Sequence, residues 1–194
     1  MSGKGRKISL GNGAENYRRF LEGDDEGIVE IIREYKDGLI LYLNGYVENI
    51  GVAEDLVEDT FFRIVTKKPK FSGRSSFKTW LYAIGRNVAL DSLRKRRSTA
   101  AHSVTDGEKA LKENAAFERA YLEQEIKIML HKAMQNIPAE YRRVLHLKFF
   151  EGFSNGEIAI ILGKSVAQVN ALMYRAKQTL KSELDREGFE YEGL

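Results

Sequence analysis

Two groups of side chains in this sequence have the types and spacing for contact with DNA. A helix starting near Ser165 would present Gln168, Asn170, Ala171, Tyr174, Arg175 and Lys177 outward. Gln and Asn can bond an adenine edge, Arg a guanine edge or a phosphate, and Ala a thymine methyl. Well upstream, the segment from Ser76 to Asn87 mixes aromatic and basic residues and leads into the cluster Arg94, Lys95, Arg96 and Arg97. Trp80 and Tyr82 stand two residues apart, so they cannot share a helix face. The spacing of Phe77, Trp80, Leu81 and Ile84 assigns Trp80 inward and leaves Tyr82 exposed beside Lys78, Arg86 and Asn87. An aromatic ring flanked by cations is the chemistry of single-strand capture, with bases stacking in a positive groove. A core aromatic beside a solvated basic face accounts for these residues equally well.

Charge is divided along the first half. Between Asp24 and Asp59, eleven acidic residues face only Arg33 and Lys36; between Thr60 and Arg97, eleven basic residues face only Asp91. Such a split suits a domain that holds a basic partner and a polyanion together, although two solvated faces that attract each other would look similar. The densest acidic stretch, Glu54, Asp55, Glu58 and Asp59, reads as a solvated docking face rather than a metal site. The formal net charge of +3 by itself identifies no partner.

Several function classes lack their residues. There is no cysteine, hence no disulfide, thiolate metal site or thiol nucleophile. His102, His131 and His146 have no ligand-like spacing. No phosphate loop or nucleophile–base pair stands out, so the expectation is a protein that is not an enzyme and needs no cofactor or metal. The amino terminus is glycine-rich and polar, without a signal-peptide run, and no stretch approaches a membrane span; the expected location is the cytoplasm.

The elements that must position these groups are helices. Only Pro69 and Pro138 interrupt long stretches of helical periodicity, and 43% of the chain is hydrophobic. The expected fold is all-α: two small helical domains joined by a flexible linker, the second containing a helix-turn-helix. Residues 1–22 read as a tail with a short helix around Tyr17–Leu21, and 23–97 as the first domain. Residues 98–116 are the linker, 117–187 the second domain and 188–194 a tail. In the first domain one helix carries Ile28, Ile31, Ile32 and Tyr35 inward, and a second buries Leu39, Ile40, Leu43 and Val47 before a break at Asn49 and Gly51. A third runs from about Val52 to Lys67 on Leu56, Val57, Phe61 and Ile64, and a fourth from a Ser75 or Ser76 cap to about Arg97.

In the second domain a helix is expected from about Phe117 to Asn136, then one started by Pro138 that buries Val144, Leu145, Leu147 and Phe149. Ser154 and Glu157 form a capping box, Gly163 suits a left-handed C-cap, and Ser165 caps a longer helix with Val169, Met173, Ala176 and Leu180 inward. A short helix, a glycine turn and a longer capped helix are the signature of a helix-turn-helix.

Taken together, the runs Glu22-Gly-Asp-Asp-Glu26, Ala53-Glu-Asp-Leu-Val-Glu-Asp-Thr-Phe61 and Phe77-Lys-Thr-Trp-Leu-Tyr-Ala-Ile-Gly-Arg-Asn-Val-Ala-Leu-Asp91 resemble region 2 of an extracytoplasmic-function sigma factor. Ile137-Pro-Ala-Glu-Tyr-Arg-Arg-Val-Leu145, with the helix-turn-helix behind it, resembles region 4. The resemblance implies a dissociable subunit of bacterial RNA polymerase that recognises promoters and supports their melting. It places docking on the clamp helices of the largest polymerase subunit at Asp55, Leu56, Glu58, Asp59 and Phe62. It places capture of the unpaired minus-ten strand at the loop 70–75 and at Ser76, Lys78, Thr79, Tyr82, Arg86 and Asn87. Gln168, Asn170, Ala171, Tyr174, Arg175 and Lys177 would read the minus-thirty-five duplex, and the second domain would also contact the polymerase flap.

The sequence departs from that pattern in two places. Glu58 stands where family members commonly have glutamine, and Asn170-Ala171-Leu172 replaces a usual basic-Ser-Arg triplet. Two lost cations imply weak binding to free DNA, and an exposed Leu172 would be available to a partner such as an anti-sigma factor. Two other readings remain: a stand-alone helix-turn-helix regulator, and a sigma-like interaction module that binds polymerase or an anti-sigma factor without reading promoters. If the two domains pack together, both DNA surfaces are expected to be hidden.

Overall fold

The computed structural model describes residues 12–100, 130 and 133–186. Its first domain is built from α1 (Asn12–Leu21), α2 (Glu26–Val47), α3 (Ile50–Lys67) and α4 (Phe77–Ala100). The second is built from α5 (Ala139–Leu145), a π-helical turn (His146–Phe150), α6 (Asn155–Leu162) and α7 (Val166–Arg186). The described residues contain no strand. The tails 1–11 and 187–194, the linker residues 101–116 and most of the helix expected over 117–136 lie outside the described residues.

Helix ends follow local chemistry. Asp24 accepts from the Glu26 backbone at 3.1 Å to start α2. Glu48 takes a left-handed conformation (φ 52°) that ends α2, and Asn49 then caps α3 by accepting from Val52 N at 3.1 Å. Ser76 caps α4, its Oγ accepting from Thr79 N at 3.2 Å. The structure corrects three expectations here. The segments before and after Gly38 form a single α2, because the apolar stripe runs unbroken from Ile28 through Tyr35 to Leu43 and burial outweighs one glycine. Val47, at its end, is half-buried. Residues 12–21 are a full helix rather than a tail: Tyr17 and Phe20 are buried, and the Tyr17 hydroxyl donates to Pro69 O at 2.8 Å. That burial pushes the phenol up to about 12.

The first core joins Ile31, Leu39, Leu43, Ile64 and Leu81 to an aromatic group in which Phe77 and Trp80 lie 5.3 Å apart and Tyr17 packs on both. The second core is Val144, Leu145, Leu147, Ile158, Ile161, Val169 and Met173. Phe149, expected inside, is 58% exposed. The π turn explains it: Glu151 N reaches back to His146 O at 3.1 Å, and the extra residue in that turn rotates later side chains off the α-helical stripe. The two domains are packed together, α2 against α5 and α4 against α6.

Candidate polymerase and nucleic-acid interfaces

On α7, Gln168, Asn170, Ala171, Tyr174, Arg175 and Lys177 are all exposed, Tyr174 at 67%. The helix-turn-helix that holds them out is well determined. Ser154 Oγ accepts from Glu157 N at 3.3 Å while Glu157 Oε2 accepts from Ser154 N at 3.0 Å, and Gly163 sits at φ 60°. Ser165 and Gln168 repeat the device, with Gln168 Oε1 accepting from Ser165 N at 2.8 Å. Asn170 Oδ1 accepts from Asn155 Nδ2 at 2.7 Å. Both amide oxygens therefore already accept a hydrogen bond within the helix-turn-helix. Lys177 Nζ lies 5.3 Å from the centre of the exposed Phe149 ring. Leu172 is 2% exposed, packed in the helix-turn-helix core, which overturns its expected role as an exposed contact.

On α3, Asp55, Glu58, Asp59 and Phe62 are exposed at i, i+3, i+4 and i+7, a single stripe beside an apolar groove lined by Ile32, Val57, Phe61 and Val65. Phe62 is 68% exposed and lines that groove, extending its apolar surface. Leu56 differs from the rest of its group: it is buried in the core and supports the stripe from beneath.

The third group gives the largest departure. Asn87 is exposed and Ser76, Lys78 and Arg86 are half-buried, but Thr79 and Tyr82 are wholly buried, and Trp80, assigned inward, is only half-buried. The second domain covers them. Glu157 Oε1 accepts from Ser76 Oγ at 3.2 Å and from Thr79 Oγ1 at 3.0 Å. Glu151 Oε2 accepts from the Tyr82 hydroxyl at 2.7 Å and pairs with Lys78 Nζ at 2.8 Å. The Tyr82 ring is held edge-on to Phe153 at 5.1 Å.

Both acids respond to this setting. Burial pushes Glu151 up, but contacts from His146, Lys78 and Tyr82 outweigh it and hold the carboxyl at about 2. Burial also raises Glu157, and hydrogen bonds from Ser154, Thr79 and Ser76 bring it below its ordinary value. Tyr82 is pushed well up, first by burial and then by the neighbouring Glu151 charge. His146 Nε2 lies 3.3 Å from Glu151 Oε1 without the alignment of a full hydrogen bond.

Sequence reasoning missed this cross-domain contact. Glu157 already had a role as a capping residue, and nothing in the neighbourhood of Glu151 marks it. It missed the second contact too, where Arg143 donates to Gly45 O at 2.7 Å and lies 4.2 Å over the Tyr46 ring. The α3 stripe and the α7 face stay open in the packed arrangement; only the α4 surface is covered. Among the described residues no cluster of His, Asp or Glu could hold a metal ion, and no helix is long and apolar enough to cross a membrane.

Residues 31–99 match the family model of Sigma-70 region 2, and residues 127–180 that of Sigma-70 region 4. The chain is 29% identical over 174 residues to RNA polymerase sigma-H factor of Pseudomonas aeruginosa, covering 86% of this chain and 90% of that one. It is 25% identical over 171 residues to ECF RNA polymerase sigma factor SigW of Bacillus subtilis, covering 84% and 91%. The chain belongs to the extracytoplasmic-function sigma factors of the sigma-70 family. The fold agrees: the sigma factor RpoE of Bartonella quintana, solved with the anti-sigma factor NepR, matches with a TM-score of 0.65 at 25% identity, over 80% of this chain and 95% of that one. As a sigma factor the protein binds core RNA polymerase and promoter DNA in transcription initiation. Its relatives belong to a family of initiation factors that carry out no catalysis.

Proposed function

We propose that the three surfaces divide the work of a sigma factor among them. The exposed α3 stripe of Asp55, Glu58, Asp59 and Phe62 docks on the clamp helices of the largest polymerase subunit, with Leu56 holding the stripe in place. Ser76, Lys78, Thr79, Tyr82, Arg86 and Asn87 take the unpaired minus-ten strand once the second domain has left them. Gln168, Asn170, Ala171, Tyr174, Arg175 and Lys177 read the minus-thirty-five duplex in its major groove, and the same domain touches the polymerase flap.

The observation that carries this reading is the α7 face, where every one of the six reading residues is exposed on a helix started by its own capping pair. Phosphate contacts from Arg175 and Lys177 would set register, and the free amide ends of Gln168 and Asn170 would donate to base acceptors. Only those two of the six are cations, so affinity for free DNA is weak and polymerase supplies the rest. The protein acts in the cytoplasm, catalyses nothing itself, and takes an anti-sigma factor as the Bartonella quintana relative does.

Photo-crosslinkers placed at Phe62, Asn87 and Tyr174 in a polymerase–promoter complex test the division. The expected crosslinks are, in order, to the largest polymerase subunit, to the displaced strand of the minus-ten element and to the minus-thirty-five duplex. Crosslinks from Tyr174 to the minus-ten strand, or from Phe62 to DNA, would contradict it.

A further inference from the structure

At the start of α4, Ser76, Lys78, Thr79 and Tyr82 each donate to a carboxylate of the second domain. Ser76 and Thr79 share Glu157 at 3.2 and 3.0 Å, while Lys78 and Tyr82 share Glu151 at 2.8 and 2.7 Å. A carboxylate offers a hydroxyl, phenol or ammonium what a nucleic-acid phosphate offers: negative charge and more than one acceptor oxygen. We infer that Glu151 and Glu157 make the second domain an internal inhibitor of the first, two carboxylates occupying the donors of the minus-ten surface while the polymerase and minus-thirty-five surfaces stay open. This rests on the reading of α4 as the minus-ten surface.

Two glycines of α2 lie beneath this closure. Gly38 and Gly45 lie seven residues apart on α2, on the face turned to the second domain. A Cβ at Gly38 would stand 2.6 Å from the Tyr82 hydroxyl and 2.7 Å from Glu151 Oε1; one at Gly45 would stand 2.9 Å from Arg143 Cγ. Glycine inside a helix is unfavourable relative to alanine, and here it leaves room for the carboxylate. Lys78 is held further by donating to Glu151 O at 3.0 Å and by lying 5.0 Å from the centre of the Phe153 ring.

Closure of this kind has a selective consequence. Polymerase can meet the exposed stripe of α3, and duplex DNA the exposed face of α7, before α4 is free. Single-strand capture alone waits for the domains to part. The apparent affinity of a site is its intrinsic affinity reduced by the fraction of molecules that are open, so free protein binds single strands poorly however well α4 suits them.

Gly45→Ala tests this without weakening α2, since alanine is the better helix former and its Cβ would meet only Arg143 of the second domain. Because the chain has no cysteine, Lys67→Cys and Gln178→Cys give a unique dye pair, one in each domain of the full-length protein. Energy transfer reports closure, and anisotropy of a mixed-sequence single-stranded oligodeoxynucleotide at fixed salt reports α4. The expected result is lower transfer and about ten-fold tighter oligonucleotide binding in both Gly45→Ala and Glu151→Ala than in the unsubstituted protein. Equal transfer and equal affinity in all three would overturn the inference. If Asn87→Ala still abolishes promoter-dependent transcription in that case, the minus-ten assignment stands and only the latch is lost. Lower transfer with no gain in binding, and full transcription by Asn87→Ala, would overturn the assignment and the inhibitory role together.

Discussion

The Glu151 carboxyl should make the pH dependence of stability measurable residue by residue. Its folded value is about 2 against an ordinary 4.5, so the ionised form is favoured in the folded protein by about 3 kcal/mol. A depressed carboxyl contributes stability that is fully present above its unfolded value and is lost as pH falls through its folded one. The contribution is therefore complete at pH 7, declines below about 4.5 and is gone near 2. Glu151→Gln imitates the protonated form. Urea unfolding of the two proteins should differ by about 3 kcal/mol at neutral pH, and the two curves should converge as pH falls to about 2. Reading the difference removes the other carboxylates, which titrate in both. The side chain is only 10% exposed, so raising salt should leave most of the difference in place. Tyr82→Phe and Lys78→Met would divide it between the two cross-domain contacts, the remainder belonging to His146 within the second domain. A variant as stable as the parent at pH 7, or a difference that grows on acidification, would refute the reasoning.

Other substitutions separate packing from recognition. Gly27→Ala would put a Cβ 2.3 Å from Asn16 O and 2.9 Å from Phe20 N, both backbone atoms. Helix α1 must shift, and unfolding should show a loss of about 2 kcal/mol or more, against a helix-propensity gain of about 1 kcal/mol. Gly163→Ala forces alanine into the left-handed region and should destabilise the helix-turn-helix by about 1–2 kcal/mol in the same assay. Asp55→Arg replaces an exposed residue, so stability should stay within about 0.5 kcal/mol of the parent while core-polymerase binding in a pull-down falls at least ten-fold. Arg175→Ala should weaken minus-thirty-five binding by polymerase holoenzyme and, if Arg175 meets a phosphate, lower the slope of log affinity against log salt by about one.

Local signals in the sequence were read where local chemistry decides the structure. The Ser154–Glu157 capping box, the left-handed Gly163 and the exposure of all six α7 residues follow from side chains within one or two turns of each other. The acidic stripe on α3 was legible for the same reason, except that the helical period puts Leu56 on the buried side. Long-range packing was not legible. Two helices were expected over the residues of α2, but their apolar stripes are continuous and the helix is buried along its length. Phe149 was placed by an α-helical period that the π turn interrupts, and Leu172 by alignment to a basic triplet rather than by its own position between Val169 and Ala176. Tyr82 shows the limit most clearly. Its exposure depends on whether Glu151 and Phe153, in another domain, lie on it, and no periodicity within α4 carries that information. The packed domains were expected to hide both proposed DNA surfaces, yet the six α7 residues stay exposed.

Run-off transcription with core polymerase, purified protein and a genomic fragment library asks whether this chain directs bacterial polymerase to promoters. Discrete start sites are expected that appear only with the protein present and disappear with Arg175→Ala or Tyr82→Ala. Failure of the protein to bind core polymerase, or binding that yields no start site on any fragment, would contradict that expectation.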